Sequence, residues 1–307
     1  MSRVVGCSLL PVTRDPRYGN IYFILGRERR TPCWVDADRW SDFSGSVQFD
    51  EMGTCETPET TAARESWEET AGILRFSHRD KDFPIASYDS LAQSLRNGEY
   101  VMKMTFKFQD TLYVTFVYEV PFDPSISPRF SHLIKLLTQY PPHARATEET
   151  QHLSSTSLRA LFGGQTHPSI NSETNHCDRS FTEKAAIQLF SVPSLVDGLF
   201  QGGLLVQKFG RSEYMRTNFA RRMAAILTAL GYLEKKKYEL WRQGNSNRTM
   251  ESPSESSWIM GRYRFREQNQ NWAWSEGETA VASSSSSQQL LAPSDSSESK
   301  ITDRFVS

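Results

Sequence analysis

Apolar residues open the chain in short runs rich in β-branched and aromatic types. Residues 3–10 (Arg-Val-Val-Gly-Cys-Ser-Leu-Leu) predict a strand, and residues 20–26 (Asn-Ile-Tyr-Phe-Ile-Leu-Gly) predict its neighbour, after a turn carrying Asp15-Pro16-Arg17-Tyr18-Gly19. Residues 101–108 and 111–120 alternate apolar with polar positions. They predict two more strands meeting at Gln109-Asp110, with Pro121 closing the second. Between these pairs the apolar period lengthens to that of a helix. Thr57 is placed to cap a helix, Pro58 takes the first helical position, Glu59 lies in the first turn, and Gly72 follows as a left-handed stop. Ala63, Trp67 and Thr70 then share an inward face. Leu91 and Leu95 predict a helix over 87–97, and Phe130, Leu133, Ile134 and Leu137 another. Residues 144–162 read as a short strand or loop and then a helix near Leu158–Phe162. Strands interleaved with helices predict the α/β class, a mixed sheet covered on both faces.

The composition shifts beyond this point. Residues 1–162 are expected to form one domain and residues 163–180, which hold Gly163, Gly164 and Pro168, a linker. Residues 181–275 are expected to be a mainly helical, basic extension. Its apolar stripe is Phe219, Met223, Ile226, Leu227 and Leu230, with Gly231 as a break. Residues 276–307 are serine-rich and polar, and are expected to stay disordered because they bury too little apolar surface to fold alone.

Charge narrows little. The 307 residues carry 35 Lys+Arg against 36 Asp+Glu, so net charge points to no partner. No run is apolar and long enough to span a bilayer, and the first residues lack a signal-peptide layout. Cys7, Cys33, Cys55 and Cys177 are scattered, without zinc spacing, and read as free thiols of an intracellular, cytoplasmic protein. None of the six histidines sits in a motif, so no Ser-His-Asp or Cys-His set competes as chemistry. The run Arg27-Glu28-Arg29-Arg30 reads as a solvated strand end or a contact for phosphates.

The informative segment is Glu56 through Gly72. Glu65, Glu68 and Glu69 fall in one sector of the predicted helix, opposite Ala63 and Trp67. Like charges at these spacings repel, and a hard cation such as Mg²⁺ or Mn²⁺ reverses the sign. Arg64 flanks the sector, within reach of Glu56, and fixes the entry of the loop into the helix. The sequence Glu56, seven residues, Arg64-Glu65, two residues, Glu68-Glu69 resembles the Nudix box. The chain departs from that pattern at Asp50, where the box has glycine; Gly45 is the better counterpart, with an expanded loop between it and Glu56. Ser66 stands for an aliphatic residue, and Ala71 stands where glycine is usual.

The resemblance implies a helix-sheet-helix sandwich and a hydrolase that cleaves a diphosphate joined to another group with Mg²⁺ or Mn²⁺. It implies Glu65, Glu68 and Glu69 as catalytic metal ligands and a further acid downstream, Glu149 rather than Glu148. Glu56, Arg64 and Gly45 would support the site. Nucleotides and nucleotide sugars, diphosphoinositol polyphosphates and the messenger RNA cap are the substrate groups it leaves open; a non-catalytic binding module on the same fold is the alternative. Arg221, Arg222, Lys235, Lys236 and Lys237, interleaved with Tyr232, Tyr238 and Trp241, fit either an RNA-backbone surface or a solvated helical extension. Partners are thus a small diphosphate substrate and, on the first of those readings, RNA, with no membrane.

Overall fold

The computed structural model describes residues 3–30, 36–49, 51–74, 88–108, 110–138, 179–208, 211–245 and 258–260. All lie in one compact unit. Strand β1 (Arg3–Arg14) is central. It runs parallel to β6 (Thr111–Glu119) on one edge, and on the other it pairs antiparallel with β4 (Phe43–Ser46) and then β2 (Ile21–Glu28). β5 (Met102–Phe108) extends the sheet past β6, and β10 (Trp258–Met260) pairs with β5. β3 (Trp40–Ser41) and β7 (Lys184–Ser191) both pair with β2, completing eight strands.

Alternation along the strands feeds two cores. Cys7, Leu9, Ile24, Val114, Phe116 and Ile187 face α1 (Pro58–Glu69), α2 (Asp89–Arg96) and α3 (Ile126–Thr138). Leu10, Val12, Phe23, Leu25, Val117 and Phe190 face α4 (Val192–Phe200), α5 (Thr217–Ala229) and α6 (Lys235–Asn245). β1 is buried on both faces, which is why residues 6–13 carry no exposed position despite Ser8 and Thr13. The result is a three-layer α/β/α sandwich around a mixed sheet.

The N-terminal half follows the sequence closely. Thr57 caps α1 by accepting from the Thr60 amide, Pro58 opens it, and Ala63, Trp67 and Thr70 are buried. Leu91 and Leu95 of α2 and Phe130, Leu133, Ile134 and Leu137 of α3 are buried as the spacing predicts. The C-terminal half does not. Residues from 181 onward are not a separate helical extension, because β7 joins the sheet beside β2 and α5 fills the second core. Nor is the segment just before the apolar stripe helical. Arg211–Tyr214 form β9 in a hairpin with β8 (Leu204–Lys208), and the helical part begins at Thr217. Gly231, at φ 76°, separates α5 from α6. Among the described residues no helix is long and apolar enough to cross a membrane. The expected linker except for its last two residues, the segment 144–162 and the serine-rich tail lie outside the described residues.

Candidate functional site

The site is built where β4 passes under α1. β4 continues into a loop whose Gln48 carbonyl accepts from the Glu56 amide, while the Gln48 amide donates to the Glu56 carboxylate at 3.1 Å. Glu56 is thereby fixed just before the Thr57 cap. Arg64, 5 % exposed, reaches back eight positions and binds Glu56 with two of its nitrogens at 2.9 and 3.1 Å. Its Nη2 also donates to the Ser46 carbonyl of β4 at 3.1 Å. Its Nη1 lies 2.8 Å from Glu65 Oε1 and 3.1 Å from Glu68 Oε2. One guanidinium therefore ties loop, strand and three carboxylates together. The planar fork of arginine suits this, where a lysine would supply a single point.

Gly45 lies directly beneath Glu65. A Cβ at that position would overlap the Glu65 carboxylate, so the glycine is required for the carboxylate to sit on the strand. Burial pushes the Glu65 carboxyl above the usual range, against the pull of Arg64. Glu56 lies below the usual range: its burial is outweighed by hydrogen bonds from Arg64, the Gln48 amide and Thr61.

Glu69 departs from the expected outward sector. It is 3 % exposed and turned toward β4 and β7. Ser44 N–H donates to its Oε2 at 2.6 Å, and Lys184 Nζ lies 2.9 Å from its Oε1. The same ammonium binds Glu28 Oε1 at 2.6 Å and Ser41 Oγ at 3.1 Å. Burial opposes the Lys184 charge, but Glu69 and Glu28 outweigh it and hold its pKa at about 12. Two carboxylates share this ammonium, with Arg216 Nη1 also 3.8 Å from Glu28 Oε1, and burial raises the Glu69 carboxyl against the pull of Lys184. Glu28 is thus a buried partner, not part of a solvated strand end. Arg27 is engaged as well, with its Nη1 on Glu213, which also accepts from Trp40 Nε1.

Do these groups fit a divalent cation? Glu65 and Glu68 offer hard oxygen donors that already converge on one positive nitrogen, and the Glu65 side chain is largely shielded from solvent. Mg²⁺ commonly takes one or two carboxylates and completes its shell with water and substrate phosphates. The pair fits that requirement. Both oxygens of Glu69 already meet protein groups, Oε2 the Ser44 amide and Oε1 the Lys184 ammonium. Among the described residues no group of three His, Cys, Asp or Glu is placed to share an ion. Glu148 and Glu149 lie outside the described residues.

The expected RNA contacts divide. Lys235, Lys236 and Lys237 are exposed on α6. Arg221 is half-buried. Arg222 is no surface residue: it is 6 % exposed, donates to Asp42 Oδ1 at 2.8 Å and stacks over the Tyr113 ring at 4.1 Å. It lies three positions after Phe219, on the apolar face of α5, and so points into the sheet. Trp241 donates its ring N–H to the Leu199 carbonyl and packs α6 onto α4. Lys184 and Ser41 were not singled out by sequence, and Glu28 was read only within its charged run, because Lys184 and Glu28 lie 156 positions apart.

No protein-family model and no curated protein matches the sequence. Solved structures with a similar fold include an Ap4A hydrolase from C. elegans, 8 % identical, with a TM-score of 0.28 over 75 % of this chain and 99 % of that one. A mutT/nudix family protein from Listeria innocua is 12 % identical, with a TM-score of 0.31 over 75 % and 94 %. A NUDIX hydrolase from Alicyclobacillus acidocaldarius is 10 % identical, with a TM-score of 0.32 over 74 % and 91 %. Overlaps this loose set neither activity nor substrate.

Proposed function

We propose that this chain is a Nudix-type hydrolase that cleaves a diphosphate joined to another group, in a nucleotide-type substrate, with Mg²⁺ or Mn²⁺. The observation that carries the reading is the convergence of Glu65 and Glu68 on Arg64 directly above Gly45. An arginine buried against three carboxylates costs desolvation that a purely structural helix could avoid with apolar residues. The outlay makes sense where carboxylates must be held at a fixed spacing for a cation.

Glu65 and Glu68 are the residues that would hold the ion. When bound, Mg²⁺ or Mn²⁺ neutralises phosphate oxygens and acidifies a water. Glu56 and Arg64 set the position of both carboxylates, and one of the pair accepts the proton of the attacking water. Gly45 keeps the strand low enough for a phosphate to approach Glu65. Which diphosphate is cleaved is open to the same test: nucleoside diphosphate sugars, diphosphoinositol polyphosphates and capped RNA, each assayed with Mg²⁺ and with Mn²⁺. Turnover of any one of them that requires the metal supports the reading. Absence of turnover across the panel removes it.

One observation favours a second reading, a binding module that keeps the fold without hydrolysis. Glu69, the last acid of the box, is already neutralised by Lys184. On that reading nucleotides or diphosphates bind, as isothermal calorimetry would detect, and no metal brings turnover.

A further inference from the structure

The Lys184 side chain lies in an enclosure made for it. The residue is fully buried. Its stem crosses β2 at Gly26, where a Cβ would stand 2.9 Å from Lys184 Cδ, so only glycine leaves the passage open. Its ammonium meets four oxygens: Glu28 Oε1 at 2.6 Å, Glu69 Oε1 at 2.9 Å, Ser41 Oγ at 3.1 Å and the Asp42 carbonyl at 3.4 Å. An irregularity in the β2–β7 register between Arg27 and Glu28 places Glu28 opposite Lys184 itself. Two carboxylates, a hydroxyl and a backbone carbonyl are the ligand types a hard divalent cation takes.

We infer that the Lys184 ammonium is a built-in cation of the site, occupying an all-oxygen cage in place of a second metal ion. It withdraws Glu69 from metal binding and makes it a positioning residue. With one oxygen on Lys184 and the other on the Ser44 amide, Glu69 clamps the end of α1 to β4 and β7. That clamp sets the height of Gly45 under Glu65. The metal count then falls to the one ion that Glu65 and Glu68 can hold. The catalytic meaning of the clamp rests on the proposed hydrolase reading; the cage itself does not.

The test uses the full chain and Mn²⁺ as the probe, with binding and thermal unfolding as readouts, so a failure of turnover does not enter. Lys184→Met keeps the apolar stem and vacates the cage. The expected result is a larger rise of Tm on adding Mn²⁺ than the unmutated chain shows, and one more Mn²⁺ bound per chain. A variant whose Tm gains no more from Mn²⁺ than that of the unmutated chain, or one that stays unfolded with Mn²⁺ present, overturns the inference. Glu69→Gln gives an independent check. It is expected to lower the Mn²⁺ affinity by clearly less than Glu65→Gln, which removes a ligand and not a positioning group. An equal loss in Glu69→Gln would make Glu69 a ligand and sink the cage assignment.

Discussion

Gly45 and Glu65 are in direct contact across the β4–α1 junction, with no room between them for a methyl group. The atoms a Cβ would meet are the tip of a flexible side chain, so the fold can yield by moving the carboxylate. Gly45→Ala is therefore expected to change stability by only about 1 kcal/mol, the low end for overpacking. Its turnover is expected to drop by about a hundredfold, the scale of a misplaced reacting group. Thermal unfolding and a metal-dependent hydrolysis assay on the same preparation check both halves.

Arg64 is the structural keystone of the same junction. Replacing it with methionine leaves Glu56, Glu65 and Glu68 without their shared cation. Loss of one partner from a buried ion pair costs about 3–5 kcal/mol. Urea unfolding should show a loss of about that size. Lysine should recover part of it, since it returns the charge without the fork.

The C-terminal cations make a contrasting pair. Arg222→Met leaves Asp42 buried beside an unpartnered oxygen of its own, Oδ2, and is expected to destabilise by about 3 kcal/mol. Neutralising Lys235, Lys236 and Lys237 together is expected to change stability by less than about 1 kcal/mol, since Lys235 and Lys236 are exposed and the Lys237–Glu234 pair lies at the surface. If capped RNA is the substrate, the triple variant should bind it more weakly and with a shallower salt dependence. RNA retention unchanged by the triple variant would exclude α6 as the contact.

These contrasts mark what the chain discloses before it folds. α1 was legible to its cap, because Thr57, Pro58 and the spacing of Ala63, Trp67 and Thr70 are local signals. So were β5, whose burial alternates from Met102 to Phe106, and β6, a run rich in β-branched and aromatic residues. The role of Arg64 toward Glu56 followed from spacing alone. β7 was not legible: Lys184–Ser191 is a short run next to helix-favouring sequence, and its partner β2 lies far back in the chain. With β7 unread, the partners of Glu28 and Glu69 were unread too, and Glu69 was grouped with its helical neighbours. Arg222 was misread for a similar reason. Composition counts it among basic residues, but its place on α5 directs it to Asp42 and Tyr113.

Asp123 supplies a pH dependence away from the site. Burial opposes its ionisation, but the Ser125 hydroxyl and amide and the Arg129 guanidinium outweigh it and hold its pKa below the usual value. The folded state thus binds the proton less readily than the unfolded chain does. The stabilisation is fully present above the unfolded pKa, about 3.9 for aspartate, and is lost as pH falls through the lower folded value. Asp123→Asn should have a lower Tm than the unmutated chain near neutral pH. The gap should close as the buffer is taken below the ordinary aspartate range. A gap independent of pH would assign the effect to packing at the turn instead.

The central claim is that Glu65 and Glu68 hold a divalent ion against a diphosphate. The most direct measurement is turnover of the best diphosphate substrate, with and without Mg²⁺ or Mn²⁺, for the unmutated chain, Glu65→Gln and Glu68→Gln. Metal-dependent turnover in the first, reduced by about a hundredfold or more in both variants while their unfolding curves stay close to its own, is the predicted result. Turnover that survives in both variants, or that proceeds equally after chelation, would contradict it.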